Sequence, residues 1–396
     1  MQRDRRASVR WLTATAWASL LVFALTSTLT SVSLKAIGSD LAIGYGTRGM
    51  LALARSVVLA ASTFCVGYLA DRTGKRRLLS AGMLVVAVGL LHVGRSEGFG
   101  GLVLGSMVTG LGLGALEALV SPLVADLHPR SVETQMNVLH GFFPLGVVAS
   151  SPLVAAALDA GVAWRRPFLV AVLPAAAVAA MYAFGRYPGA AAEDRPEPLS
   201  VSRILHSRLF WGLAVAMMLT AGCEGALLYW SPNFIQDAYG ASAKAGSAGL
   251  MAFTAAMAFG RFGTGAAARV VPLLRIMLAM IAITVVSTLA LVLMKGRAAT
   301  MGALILAGVG VACFWPSILT VATRRIAAGS ATLLAMLSVA GIVGFGVVPA
   351  IIGRAADAVG LRAGLALVPA SLVVAGVALV MVFRLDARAA GGGATD

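Results

Sequence analysis

The chain has 396 residues, of which 59% are hydrophobic and only 12% charged, with a formal net charge of +15. A soluble globular chain carries about a quarter charged residues, and a fold of this length in water could not hide so much apolar surface. Composition therefore excludes a soluble protein. The cations lie between apolar blocks with no interleaved aromatic residues, which argues against a nucleic-acid partner and reads as a membrane-topology signal.

In chain order the apolar blocks run over 11–34, 48–69, 78–94, 99–126, 135–158, 166–185, 209–232, 247–268, 272–294, 298–322, 331–355 and 361–384. Each is close to the ~20 residues that cross a bilayer, which predicts about twelve transmembrane helices. The first block follows Arg3, Arg5, Arg6 and Arg10, but it is too long for a signal-peptide core and has no A-x-A site near Ser39, so it is expected to be the first span. Placing both termini in the cytoplasm puts the basic clusters Arg3–Arg10 and Arg72–Arg77 on the inner face, in the inner (cytoplasmic) membrane. Residues 186–208, rich in Pro, Ala, Glu and Arg, are expected to be a cytoplasmic linker between an N-terminal bundle (1–185) and a C-terminal bundle (209–384). Residues 385–396 are expected to be a disordered tail.

Cys65, Cys223 and Cys313 lie far apart inside apolar blocks, and the four histidines show no ligand spacing. No metal site and no cofactor is expected.

Shifting the chain by half its length superposes its punctuation. Gly67 falls on Gly265, Gly110 on Gly308, Gly112 on Gly310, Gly146 on Gly344 and Asp159 on Asp357. Repeated helical halves predict alternating access, with a solute site near the bilayer midplane.

Between the second and third blocks stands Gly67-Tyr68-Leu69-Ala70-Asp71-Arg72-Thr73-Gly74-Lys75-Arg76-Arg77. It suits a tight cytoplasmic elbow, with Gly67 permitting close helix contact, Gly74 supplying a turn and the cations facing inward. The segment resembles the signature loop of the major facilitator superfamily. Gly161-Val162-Ala163-Trp164-Arg165-Arg166-Pro167-Phe168 is similar to the family's entry to the sixth helix. The resemblance implies the major facilitator fold: all-α, two pseudo-symmetric six-helix bundles, a transporter and not an enzyme. It also implies that Gly67, Asp71, Arg72, Gly74 and Arg76 gate the cytoplasmic side.

A narrower resemblance is to the fucose permease-like sugar transporters. It is carried by Gly110–Glu117 with Ser121-Pro122, by Asn137–Gly146 with His140 where the branch has glutamine, and by Gly222-Cys223-Glu224 with Trp230. The chain departs from that branch in the first helix. Thr26, Ser27, Thr28, Thr30 and Ser31 stand where the branch has an aspartate, a departure from its proton–sugar symport pattern. Ser106 replaces the fourth-helix arginine of proton-coupled relatives, and the fifth helix lacks the drug-antiporter G-P-x-x-G-G pattern.

Ionisable groups at membrane depth cost roughly 2.5 kcal/mol or more in the mildest scale, so each is a functional candidate. Glu117 shares a helical face with Gly110, Gly114 and Ser121 and is read as a proton or hydroxyl acceptor, or as a structural hydrogen-bond partner. Glu224 has the same roles open, or a pair with an arginine. Arg55 has three readings: snorkelling, neutralising Glu117, or contacting an anionic solute. Arg261, at the cytoplasmic end of its block, is read as a gate. Asn137 and His140 share a face and suit solute or interhelical hydrogen bonds, while Trp315 and Trp230 suit a sugar face or packing. Trp11, Trp17, Trp164 and Trp211 read as interfacial anchors, and Asp126 and Glu133 as solvated loop acids.

The expectation is secondary active or facilitative transport of a small polar solute, a sugar first, with protons coupled through Glu117 and Glu224. The alternative is efflux of an amphipathic or anionic compound using Arg55. The expected partners are the solute, protons and the lipid bilayer, with the protein a monomer.

Overall fold

The computed structural model describes residues 2–185, 187, 201–326 and 331–391. Among these, every regular element is an α-helix: α1 (Gln2–Asp40), α2 (Tyr45–Thr73), α3 (Lys75–Arg95), α4 (Phe99–Leu127), α5 (Val132–Asp159), α6 (Arg165–Phe184), α7 (Val201–Leu205), α8 (Arg208–Ala238), α9 (Ala243–Ala267), α10 (Leu273–Leu293), α11 (Arg297–Val311), α12 (Phe314–Arg325), α13 (Ala331–Gly364) and α14 (Leu367–Gly391). Eleven spans are long and apolar enough to cross a membrane, α11 and α12 together making one of them. The twelfth long helix is α9, whose 25 residues include many Ala and Gly and also Lys244 and Arg261. At about 1.5 Å per residue it has the length to span a bilayer.

Helices suit this chain because lipid offers no partner for backbone groups, which must bond within the segment. Threonine hydroxyls return to the carbonyl one turn back, as in Thr15 to Trp11 and Thr109 to Gly105 (both 2.8 Å). Prolines stand inside α4, α5, α6, α8 and α13. Two glycines break helices by adopting φ values that side chains resist. Gly74 (φ +83°) turns α2 into α3, and Gly360 (φ +81°) interrupts α13 where the sequence divides its last two spans.

The described residues form two compact units, one drawn from Met1–Glu193 with Ser231–Met251, the other from Asp194–Trp230 with Ala252–Asp396. In the first, α3 packs on α4 and α6, α2 on α4, and α1 on α5 and α6. In the second, α10 packs on α11 and α14. Small residues let these backbones approach. A Cβ on Gly110 would strike the Arg55 carbonyl, and one on Gly112 the Gly82 carbonyl and Val86 nitrogen. In the second unit, Gly308 meets the Phe253 carbonyl, and Gly310 meets the Met280 carbonyl and Thr284 nitrogen. Each contact is the other's counterpart after a half-chain shift, so the repeat is one of packing as well as of residues. Gly67 departs from expectation: a Cβ there would meet nothing within 4 Å, so no helix seam requires a glycine at that position.

Candidate functional site

In the first unit, α2 directs the half-buried Arg55 onto α1. Its Nη2 donates to the Thr26 hydroxyl at 2.9 Å and lies 3.4 Å from that of Ser27. Gly110 and Gly114 of α4 are taken up by α2, against Arg55 and Ser62, so that stripe is a helix seam and not the wall of a cavity. Glu117, one turn further on, is half-buried and makes no hydrogen bond or ion pair among the described residues. Another turn along α4, Ser121 meets His140 Nε2 of α5 at 3.5 Å. Glu117, Ser121 and His140 thus form a polar line across two helices, with exposed Asn137 one turn from His140. Trp17 does not lie free at an interface: its ring stacks on Phe142 with centroids 5.0 Å apart, while Phe23 meets Phe143 edge to face.

In the second unit, Glu224 of α8 is buried and Arg261 of α9 lies beside it, Nη2 to Oε1 at 3.7 Å. The same helix pair in each half thus carries an arginine directed at its neighbour, Arg55 toward Thr26 and Arg261 toward Glu224. Thr26 and Glu224 are half-chain counterparts. Trp315 of α12 is half-buried, packing over Gly341 and meeting Phe345 of α13 edge to face. Trp230 is fully buried and donates its N–H to the Pro349 carbonyl at 3.1 Å, which ties α8 to α13.

Polar clusters hold the ends of the first unit. At one end, Asp40 receives Trp164 Nε1 (3.1 Å) and Arg165 (2.7 Å), and Arg165 also bonds the Ser96 carbonyl. Trp164 is therefore a buried brace and not a lipid-facing anchor. Asp237 of α8 gathers Lys35 (3.2 Å), Tyr45 (2.8 Å) and Asn233, while Arg48 donates to Asn233 at 2.9 Å. Asp159 accepts the backbone N–H groups of Ala243 and Lys244 at the start of α9. Sequence reading missed Lys35, Arg48, Asn233 and Asp237. The signal of Lys35, Arg48 and Asp237 was charge at block ends, Asn233 is neutral and gave none, and the bonds of Lys35 and Arg48 join residues far apart in the chain.

At the other end, Lys75 pairs with Asp126, which is thus no free loop acid, and Arg76 donates to the Ala183 carbonyl. Thr13 meets His128 at 2.8 Å, and burial holds the His128 pKa below its ordinary value. Asp71 and Arg72 lie in the last turns of α2; their side chains, and that of Glu133, fall outside the described set.

The Major Facilitator Superfamily model matches residues 16–337, most of the chain. The chain belongs to the Major Facilitator Superfamily. Among its relatives, the cis,cis-muconate transport protein of Acinetobacter baylyi is 24% identical over 280 residues, 67% of this chain and 68% of that one. Myo-inositol transporter 2 of Schizosaccharomyces pombe is 26% identical over 182 residues, 44% of this chain and only 32% of that one. A solved bacterial homologue of the human lysosomal transporter Spinster superposes with a TM-score of 0.81 at 16% identity, covering 96% of this chain and 97% of that one. The Escherichia coli fucose:proton symporter FucP gives 0.65 at 17% identity, covering 93% and 98%. These likenesses establish the major facilitator fold. As a member of this superfamily the protein is a multi-pass membrane transporter of small solutes and not an enzyme, and its signature loop is the α2–α3 elbow.

Proposed function

We propose that the protein carries a neutral ring polyol or sugar by alternating access, coupled to protons through Glu117 and Glu224. The observation that carries this reading is Glu117, a half-buried carboxyl without a partner among the described residues, beside Ser121 and His140. A carboxyl at membrane depth is costly, and an unpaired one is free to exchange a proton or accept a solute hydroxyl. Protonation shifts a conformational equilibrium only if the two states bind the proton differently. The inositol transporter among the relatives supports the solute class. The working bodies are an N-terminal bundle (1–185) and a C-terminal bundle (209–384) joined by 186–208. The cytoplasmic elbow, Gly67 to Arg76, gates the inner side. The protein works as a monomer in the cytoplasmic membrane with both termini inside.

A second reading, outward transport of an organic anion, is favoured by Arg55 and by the muconate transporter among the relatives. The two separate in proteoliposomes loaded with a panel of labelled polyols, sugars and dicarboxylates, with and without an inward proton gradient. Glu117→Gln should abolish gradient-driven polyol accumulation and leave exchange intact. Accumulation equal to wild type in that variant removes Glu117 from coupling, and flux of dicarboxylates alone selects the second reading.

A further inference from the structure

Glu224 and Arg261 form an ion pair that is incomplete at both ends. Their 3.7 Å separation exceeds the roughly 2.7–2.9 Å of a charge-assisted hydrogen bond. Among the described residues, Arg261 Nε is buried with no acceptor, and Nη2 also lies 3.9 Å from the Met257 sulfur. Glu224 accepts no hydrogen bond among the described residues. A guanidinium offers five N–H donors and a carboxylate about four acceptor positions, and buried groups of this kind are normally filled.

The surrounding helices close a circuit about this pair. Gly225, next to Glu224, allows the Phe345 ring of α13 to rest on α8. Phe345 meets Trp315 of α12 edge to face, with centroids 6.3 Å apart. One turn before Trp315, Ala312 packs with Val309 on Gly260 of α9, the residue preceding Arg261. Glu224, Arg261, Trp315 and Phe345, all in the second unit, are thereby carried on a connected set of segments: α8 meets α13, α13 meets α12, and the α11–α12 junction meets α9.

We propose that Glu224 and Arg261 are the two ends of a hydroxyl-reading subsite for a neutral ring polyol, whose ring lies toward Trp315 and Phe345. One solute hydroxyl donates to Glu224 and accepts from Arg261, which completes both partners without adding charge. A solute carboxylate would satisfy the arginine but set a second anion against Glu224, so the pair selects a neutral group. Flat aromatic faces suit the apolar side of such a ring. Arg261 is then a specificity residue as well as, or in place of, a gate. This assignment rests on the polyol reading above and names its contacts in the second unit.

The test is counterflow of labelled myo-inositol by the full-length protein in proteoliposomes, with each mono-deoxy inositol as competitor. Wild type, Glu224→Gln, Arg261→Gln and Arg261→Lys are compared after each elutes as a monodisperse species. In wild type, loss of one particular hydroxyl should weaken competition about 10- to 100-fold, the range for hydrogen bonds to charged groups. In Glu224→Gln and Arg261→Gln, intact inositol should fall to the level of that deoxy analogue, erasing the discrimination while the other positions keep theirs. Arg261→Lys, which retains charge but loses the fork, should restore part of it. If wild type discriminates and both neutral variants discriminate equally well, or lose affinity uniformly for every competitor, the subsite is wrong while the polyol reading stands. If wild type exchanges no ring polyol, the polyol reading itself fails and the subsite with it.

Discussion

Single side chains here owe their meaning to what lies within hydrogen-bonding or ion-pairing reach of them. Glu117 and Glu224 look alike in sequence, each an acid in an apolar run, yet among the described residues one has no partner and the other faces Arg261. Asp126 and Trp164, which look like loop and interface residues, are bound to Lys75 and Asp40. His128 carries a pH dependence. Thr13 donates to the Val9 carbonyl and so accepts from His128 Nε2, and burial lowers the imidazole pKa from the ordinary 6.5. The unfolded chain therefore binds this proton more tightly than the folded one. The histidine's contribution is fully present above the unfolded value and is lost as pH falls through it toward the lower folded value. Thermal unfolding in detergent should give a lower midpoint at about pH 5.5 than at about pH 7.5, and His128→Gln should narrow that difference. An unchanged difference would assign the acid sensitivity to other groups.

At the scale of elements, helix ends repay inspection. The first turn of α9 has its N–H groups met by Asp159, at Ala243 and Lys244, and by Ser242 Oγ, at Ala245. Ser242 is a local cap of the kind a sequence shows. Asp159, at the far end of α5, supplies the rest from 84 residues away and places a negative charge at the helix's positive end. Asp159→Ala should cost about 1 kcal/mol of local stability and speed amide exchange at 243–245 about fivefold. Hydrogen-exchange mass spectrometry of the reconstituted protein reads this directly. Unaltered exchange would mean that Ser242 caps α9 unaided. α11 and α12 make the complementary point: one apolar block, 298–322, is two helices joined at Ala312 and Cys313.

For the whole molecule, the half-chain repeat is the organising fact. Gly110 on Arg55 and Gly308 on Phe253 are one seam used twice, as are Gly112 on Gly82 and Gly310 on Met280. Side chains depart from that symmetry, since Thr26 answers to Glu224 and Glu117 to Trp315. The distribution of Lys and Arg bears on orientation, because cytoplasmic loops retain cations. A reporter that is active only outside the cytoplasm should stay silent when fused after residue 384 and give signal when inserted in the loop at 41–44. The reverse pattern would overturn the proposed topology.

Length and apolar blocks by themselves determined a polytopic helical membrane protein, and the resemblance of the Gly67–Arg77 elbow to the signature loop implied the major facilitator fold. Backbone hydrogen bonding leaves only helices and closed barrels to span a bilayer, and blocks of about 20 residues select helices. The candidate ionisable residues were equally visible, because charge inside an apolar run is conspicuous. Which of them meet was decided only by tertiary structure. Glu224 with Arg261, Lys35 with Asp237 and Asp159 with α9 join helices whose spacing in the chain carries no record of their contact. The same holds for Gly110 and Gly114, which share a helical face with Glu117 in sequence and form a seam with α2 in the fold. A helical period places residues on one face; which neighbour that face meets depends on how the other helices pack against it.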